Sequence, residues 1–253
     1  MAKPLVVFQL SDPHIGATWA GGDPVAGLER TVEAARQLPN RPAAVLISGD
    51  LADNAAAGEY ALVREQVARL GAPVYPLPGN HDERDALRAG FDLPGQAGTP
   101  VQYTAEVGPL RLVVLDSTRP GEPEGELDRE RLAWLEGELA GAPDRPTLVA
   151  LHHPPLLTGS PAWDELGLAA ADRVALGEVV ARHQQVQRIV AGHVHRAVAA
   201  SLDGRSVLAV PSTYVQARLD LISRKIGFTD EPPGFAVHVL ADGTLTSYVQ
   251  LVP

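Results

Sequence analysis

Short apolar runs alternate along this chain with longer amphipathic stretches. Leu5 to Leu10, Ala43 to Ile47, Val74 to Leu77, Thr147 to Leu151 and Val186 to Ala191 are rich in branched side chains. Such runs read as strands buried on both faces. Between several of them the spacing turns helical. Val25, Leu28, Val32 and Ala35 recur after Asp23-Pro24, a capping residue followed by proline at the first helical position. Tyr60, Val63, Val67 and Leu70 repeat the pattern, and so do Leu132, Leu135 and Leu139. Asp128 caps that last helix, with Leu127 placed to staple onto Leu132. Alternating strand and helix predicts an α/β fold with a mainly parallel sheet, whose ligands gather beyond the carboxyl ends of the strands. Segment 219–234 interrupts the pattern before Phe235 to Leu240 resumes it. It is expected to be a cap over a site, a dimer contact or a surface loop.

Five polar patches follow these runs: Asp12-Pro13-His14, Gly49-Asp50, Gly79-Asn80-His81-Asp82, His152-His153-Pro154 and Gly192-His193-Val194-His195. Taken singly, each is an ordinary turn or strand end, since Gly-Asp and Gly-Asn are common turn signals. Together they send imidazole, carboxylate and amide groups to one rim. In an extended segment, residues i and i+2 point the same way, about 6.5 Å apart. Asp12 with His14, and His193 with His195, would then aim in pairs. Imidazole suits Zn, Fe and Mn-like ions, and oxygen ligands suit harder ones. Asp12, His14, Asp50, Asn80, His152, His193 and His195 are too many ligands for one tetrahedral ion and suit two, with Asp50 able to bridge them. Paired ions of this kind clamp the attacking and leaving oxygens of an in-line displacement.

In order and residue type, these patches resemble the signature of the calcineurin-like metallophosphoesterases, over about residues 5 to 215. The resemblance implies a four-layer α-β-β-α sandwich of two mixed sheets flanked by helices. It implies that Asp12, His14, Asp50 and His195 hold one metal, and that Asp50, Asn80, His152 and His193 hold the other. His153 is then the neighbour and not the ligand. Softer matches lie in Gly49-Asp50-Leu51-Ala52-Asp53-Asn54, Leu151-His152-His153-Pro154-Pro155, Pro211-Ser212-Thr213 and Asp230-Glu231-Pro232-Pro233-Gly234-Phe235. They resemble the bacterial cyclic-nucleotide phosphodiesterase and glycerophosphodiesterase branch.

The chemistry expected is hydrolysis of small phosphodiesters, 3′,5′-cyclic nucleotides first among them. Two cations would acidify a bridging water to hydroxide and offset phosphate charge. They are divalent or mixed-valence ions of Mn, Fe, Zn or Co. The resemblance makes His81 the residue that stabilises phosphoryl charge or protonates the leaving alkoxide. Asp82 is expected to orient His81 or cap the next helix. Arg119 suits a surface ion pair, or else a phosphate or base contact. Trp163 and Tyr214 suit stacking on a nucleobase, and equally packing. His183 and His238 read as ordinary helix and strand residues. Alternative activities are a glycerophosphodiesterase or a broad phosphomonoesterase. A non-catalytic scaffold on the same fold should have lost ligands, and all seven positions are filled.

Composition narrows this further. The length of 253 residues fits one large domain spanning 1–253. The absence of cysteine excludes disulfides, thiolate metal sites and a cysteine nucleophile. With 21 basic against 31 acidic residues the net charge is −10, which disfavours long nucleic acid as a partner. No leader or long apolar span is visible, so a cytoplasmic protein without membrane contact is expected, with homodimerisation open.

Overall fold

The computed structural model describes residues 3–252. The first half of the chain forms β1 (Leu5–Leu10), α1 (Pro24–Gln37), β2 (Ala44–Ser48), α2 (Ala57–Ala68), β3 (Val74–Leu77), α3 (Arg84–Phe91), β4 (Tyr103–Val107), β5 (Leu110–Val114), β6 (Thr118–Arg119) and β7 (Glu122–Gly125). The second half adds α4 (Arg129–Ala140), β8 (Thr147–Ala150), α5 (Pro161–Glu165), α6 (Ala170–Ala181), β9 (Val186–Ala191), β10 (Val198–Leu202), β11 (Arg205–Ala209), β12 (Gln216–Ala217), β13 (Phe228–Thr229), β14 (Gly234–Ala241) and β15 (Thr244–Leu251). The caps read from sequence are present. Asp23 Oδ1 accepts from the backbone N–H of Val25 at 2.9 Å, and Asp128 Oδ1 accepts from that of Arg131 at 2.8 Å.

The strands make two main sheets, ordered β15-β14-β1-β2-β3 and β10-β11-β9-β8-β5-β4. In the first, β1, β2 and β3 run parallel and β14 and β15 are antiparallel on one side; the second has a parallel centre and two antiparallel edges. The single, mainly parallel sheet read from strand–helix alternation is therefore corrected. The antiparallel edges come from hairpins. Asp203-Gly204 joins β10 to β11, and Asp242-Gly243 joins β14 to β15, with all four φ between 45° and 81°. Paired left-handed residues are what a tight hairpin turn demands.

Side-chain alternation sorts the core into layers. On β1 and β2, Phe8, Leu10, Val45 and Ile47 pack with Leu28 and Val32 of α1 and Tyr60, Val63 and Val67 of α2. The opposite faces, through Val7, Ala44 and Leu46, meet Leu112, Leu148, Ala150 and Val190 of the second sheet. Beyond that sheet, Val113, Val149 and Ile189 pack under Leu135 and Leu139 of α4 and Leu176 and Val180 of α6. The order is helices, sheet, sheet, helices. Period-2 strands let one run serve two apolar layers at once.

The space between the sheets turns polar toward one end. His238 Nε2 donates to Gln9 Oε1 at 2.9 Å, and Gln9 Nε2 donates to Ser48 Oγ at 2.8 Å and Ala191 O at 3.1 Å. His238, expected to be an ordinary strand residue, ties β14 to β1, and Gln9 carries the tie to β2 and β9. Burial pushes its imidazole down to about 3, so it stays neutral in this chain of hydrogen bonds.

Candidate metal centre

Five parallel strands end at the same rim: β1, β2 and β3 of one sheet and β8 and β9 of the other. The polar patches begin where these strands stop, and backbone bonds lash the loops together. His14 N–H donates to Asp50 O at 2.9 Å, Gly192 N–H to His152 O at 3.1 Å, and His193 N–H to Asp12 Oδ1 at 3.0 Å. Ser212 Oγ donates to Asp12 O at 2.7 Å, which gives Pro211-Ser212-Thr213 its place beneath the site.

The backbone here is not extended. Asp12, His14, Asp50, His193 and His195 all have φ between 45° and 69°. Asp and His visit this region more readily than most residues, yet five together are a concentration of strained geometry typical of functional sites. The expected i, i+2 pairing of an extended strand is thus replaced by tight left-handed turns. They aim Asp12 and His14 at one point and send His193 and His195 to different ones.

Two groups of donor atoms result. His14 Nε2 lies 3.1 Å from His195 Nε2 and 3.4 Å from Asp50 Oδ2, and His195 Nε2 lies 3.7 Å from Asp12 Oδ1. In the second group His152 Nε2 lies 3.3 Å from Asp50 Oδ2 and 3.2 Å from Asn80 Oδ1, which is 3.1 Å from His193 Nδ1. Ligands about 2.1 Å from a common ion stand about 3.0–3.4 Å apart in octahedral or tetrahedral arrangement, the range of these distances except the 3.7 Å between His195 and Asp12.

The protons support the same fit. His195 Nδ1 faces Val215 O at 2.9 Å, His152 Nδ1 faces Ser48 O at 2.8 Å, and His14 Nδ1 faces Asp53 Oδ1 at 3.1 Å. Those oxygens only accept, so each ring carries its proton on Nδ1 and turns a lone pair inward from Nε2. Lone pairs of His14 and His195 then face each other, and that of His152 faces two oxygens. A cation satisfies such a cluster. A proton serves in part: although burial opposes it, the Asp50 carboxylate raises His152 to about 9. Asp50 itself, also against burial, is held well below the usual carboxylate range by His152 and His14. Burial carries Asp12 up to about 6.

A family model for the calcineurin-like phosphoesterases matches residues 5–197. This chain belongs to that family. It is 32% identical over 256 residues to a protein of Arcobacter nitrofigilis named "Probable glycerophosphodiester phosphodiesterase GpdQ", covering 97% of this chain and 93% of the relative. It is also 32% identical over 247 residues to the 3′,5′-cyclic adenosine monophosphate phosphodiesterase CpdA of Escherichia coli K12, covering 96% and 88%. The fold superposes on a purple acid phosphatase from yellow lupin with a TM-score of 0.72 at 13% identity, over all of this chain and 52% of that one. Members of the family use a dinuclear metal centre. Among the described residues, no helix is long and apolar enough to cross a membrane.

Around the donors, His153 is fully engaged, with Nδ1 accepting from Ser117 Oγ at 3.0 Å and Nε2 donating to Pro123 O at 3.1 Å. His81 is the half-open group. Its backbone N–H donates to Asp50 Oδ1 at 2.9 Å, its Nδ1 lies 3.1 Å from Asp53 Oδ1, and its side chain is 35% exposed. Asp82 does neither task expected of it. Its carboxylate accepts from the N–H groups of Leu51, Ala52 and Gly79, pinning the loop after β2 to the loop after β3. Glu83 caps α3 instead.

A cavity of about 290 Å³ opens over His14, Asp50, Asn80, His81, His193 and His195, walled by Trp19, Pro123, Trp163, Leu166, Ile226 and Phe228. Trp163 is buried, its ring stacked 6.0 Å from that of His195. Tyr214 stands behind Trp19, donating its hydroxyl to Ala20 O at 2.9 Å, outside the cavity lining. Exposed Arg119 lines a second cavity of about 460 Å³ on the other side of Asn80 and His81. Segment 219–234 reaches the first cavity through Ile226 and Phe228.

Sequence reasoning missed Trp19, Phe228, Ile226 and the role of Asp53. One oxygen of Asp53 takes His14 Nδ1, His81 Nδ1 and Trp19 Nε1, the last at 2.9 Å. A carboxylate one turn beyond Asp50 was the available signal for Asp53. Nothing in the Gly-rich run around Trp19 marks it.

Proposed function

We propose that this chain hydrolyses small phosphodiesters, 3′,5′-cyclic nucleotides first among them, at a two-metal centre. Asp12, His14, Asp50 and His195 hold one ion and Asp50, Asn80, His152 and His193 the other, drawn from Mn, Fe, Zn or Co. The observation that carries the reading is the position of Asp50 Oδ2, 3.4 Å from His14 Nε2 and 3.3 Å from His152 Nε2, so that one oxygen belongs to both donor groups. The two relatives named above, a cyclic-nucleotide and a glycerophosphodiester phosphodiesterase, support the substrate class. Metals held by these residues would supply Lewis acidity toward water and would offset phosphate charge.

The chain's own groups do the rest. Asn80 contributes a neutral oxygen, so it adds no negative charge. The accepting Asp53 carboxylate fixes the His81 proton on Nδ1 and leaves Nε2 toward the cavity. As the P–O ester bond breaks, protonated Nε2 gives its proton to the departing alkoxide, and imidazole regains one from solvent. Arg119 stands where it can meet a second phosphate substituent.

A metal-reconstituted screen of 3′,5′- and 2′,3′-cyclic nucleotides, glycerophosphodiesters and monoesters tests the reading. Expected are two metal equivalents per chain and turnover of cyclic nucleotides. Turnover of monoesters alone, or one equivalent at full activity, would overturn it.

A further inference from the structure

The walls of the 290 Å³ cavity are unlike its floor. No wall residue carries a charge, and the wall aromatics are not equivalent. Trp163 is a fixed, buried panel already stacked on His195. Trp19 is 42% exposed, and its ring meets Phe228 at 5.0 Å and 41°, so the two rings splay from a common contact. Ile226, 37% exposed, stands two residues before Phe228 and lines the same side.

The indole is placed with respect to the reacting atoms. Its Nε1–H donates to Asp53 Oδ1, the oxygen that also takes His14 Nδ1 and His81 Nδ1. The Trp19 and His81 rings lie 6.5 Å apart. A group seated against Trp19 would therefore lie beside a phosphorus placed for His81. Charged headgroups entering here would lose water without a charged partner on the walls, and glycerol offers no planar face to bury against the aromatic rings. A planar, uncharged ring would bury its faces on aromatic surface.

We propose that Trp19, Phe228 and Ile226 form an ester-group subsite that selects phosphodiesters bearing a planar uncharged substituent, a nucleobase or an aryl ring, over those bearing glycerol or a charged headgroup. The proposal rests on the phosphodiesterase reading above. It gives part of segment 219–234 a task in substrate selection.

Phe228→Ala is the cleaner test, because Phe228 does not touch Asp53. In metal-loaded enzyme it should lower kcat/KM for 3′,5′-cyclic AMP about tenfold, through KM, the scale expected for losing one aromatic stacking partner. Glycerophosphoethanolamine turnover should fall by less than about a third of that factor. Phe228→Tyr should restore the difference. AMP binding, followed by tryptophan fluorescence, should weaken in parallel in Phe228→Ala and keep its affinity in Phe228→Tyr. Equal losses on both diesters, or none on either, overturn the subsite, as does unchanged AMP affinity. If the loaded wild type turns over no diester yet binds AMP in a Phe228-dependent way, the activity reading falls and the subsite stands. If it turns over diesters but AMP does not bind, the reverse holds. Circular dichroism and metal content of each variant exclude misfolding as the cause.

Discussion

At Asp50 one oxygen faces two sets of donors, so its loss is not equivalent to the loss of any other group in the site. On the proposed two-metal reading, Asp50→Ala removes a negative charge from between two cations and should strip both metals. Asn80→Ala removes one neutral oxygen and should loosen mainly one. Metal content by mass spectrometry after dialysis reads the difference, and full occupancy with normal turnover in Asp50→Ala would show that Asp50 is not the bridge. His81 makes a different claim. His81→Ala should keep both metals and lose about 10²–10⁴-fold in kcat for an alkoxide leaving group, with a much smaller loss for a nitrophenyl ester that needs no proton. Equal losses would reject proton donation. Asp53→Asn should follow the same pattern more weakly, about 10–100-fold, because it acts through His14 and His81. At this scale the sequence was legible where chemistry repeats: His, Asp and Asn at successive strand ends are the donor groups that the fold brings together. It was illegible where role depends on reach. Asp82, adjacent in sequence, looks suited to hold His81, yet the fold brings Asp53 Oδ1 to its Nδ1 while Asp82 is spent on three backbone N–H groups.

Helices and central strands announced themselves because their apolar periods are strong and their caps are explicit. The strands joined by hairpins did not. β10, β11 and β15 are short or half-exposed, and their best marker is a turn: Asp203-Gly204 and Asp242-Gly243, between which no helical spacing intervenes. Alternation read alone therefore gave one parallel sheet where hairpins complete two mixed ones. The element that matters most to the site is the turn leaving β2. Gly49 has φ +97°, and a Cβ there would overlap the His152 ring. Gly49→Ala should cost about 1–3 kcal/mol from the left-handed backbone, with further cost from displacing His152. Gly137, inside α4 with open space around it, gives the opposite sign: Gly137→Ala should stabilise by about 0.5–1 kcal/mol. Urea unfolding of both variants checks the pair, and similar effects from the two would refute the account of Gly49.

For the whole molecule, the site couples metal binding, protonation and stability. His152, raised to about 9, keeps its proton in folded chelator-stripped protein at neutral pH and gives it up on unfolding only above its ordinary 6.5. A raised folded value stabilises the protonated fold; that contribution is complete below pH 6.5 and is lost as pH rises through 9. Asp12, raised to about 6 from 3.8, acts in the same direction at lower pH: its contribution is complete below 3.8 and gone above 6. Both groups thus make the stripped protein less stable as pH climbs from 4 to 9. Metal works the other way. Bound as proposed, it would displace the His152 proton, so its apparent affinity should rise up to about tenfold per pH unit toward pH 9, with Asp12 adding to the slope below about 6. Ligand stabilisation grows with the logarithm of that affinity, by about 1.4 kcal/mol per tenfold gain. The gap in Tm between manganese-loaded and stripped protein should therefore widen from pH 6 to pH 8.5, with proton release on metal addition detectable by calorimetry in buffers of different ionisation enthalpy. A gap that stays constant over that range, with no proton released, would mean that His152 does not give its Nε2 to a metal, and the second donor group would have to be redrawn without it.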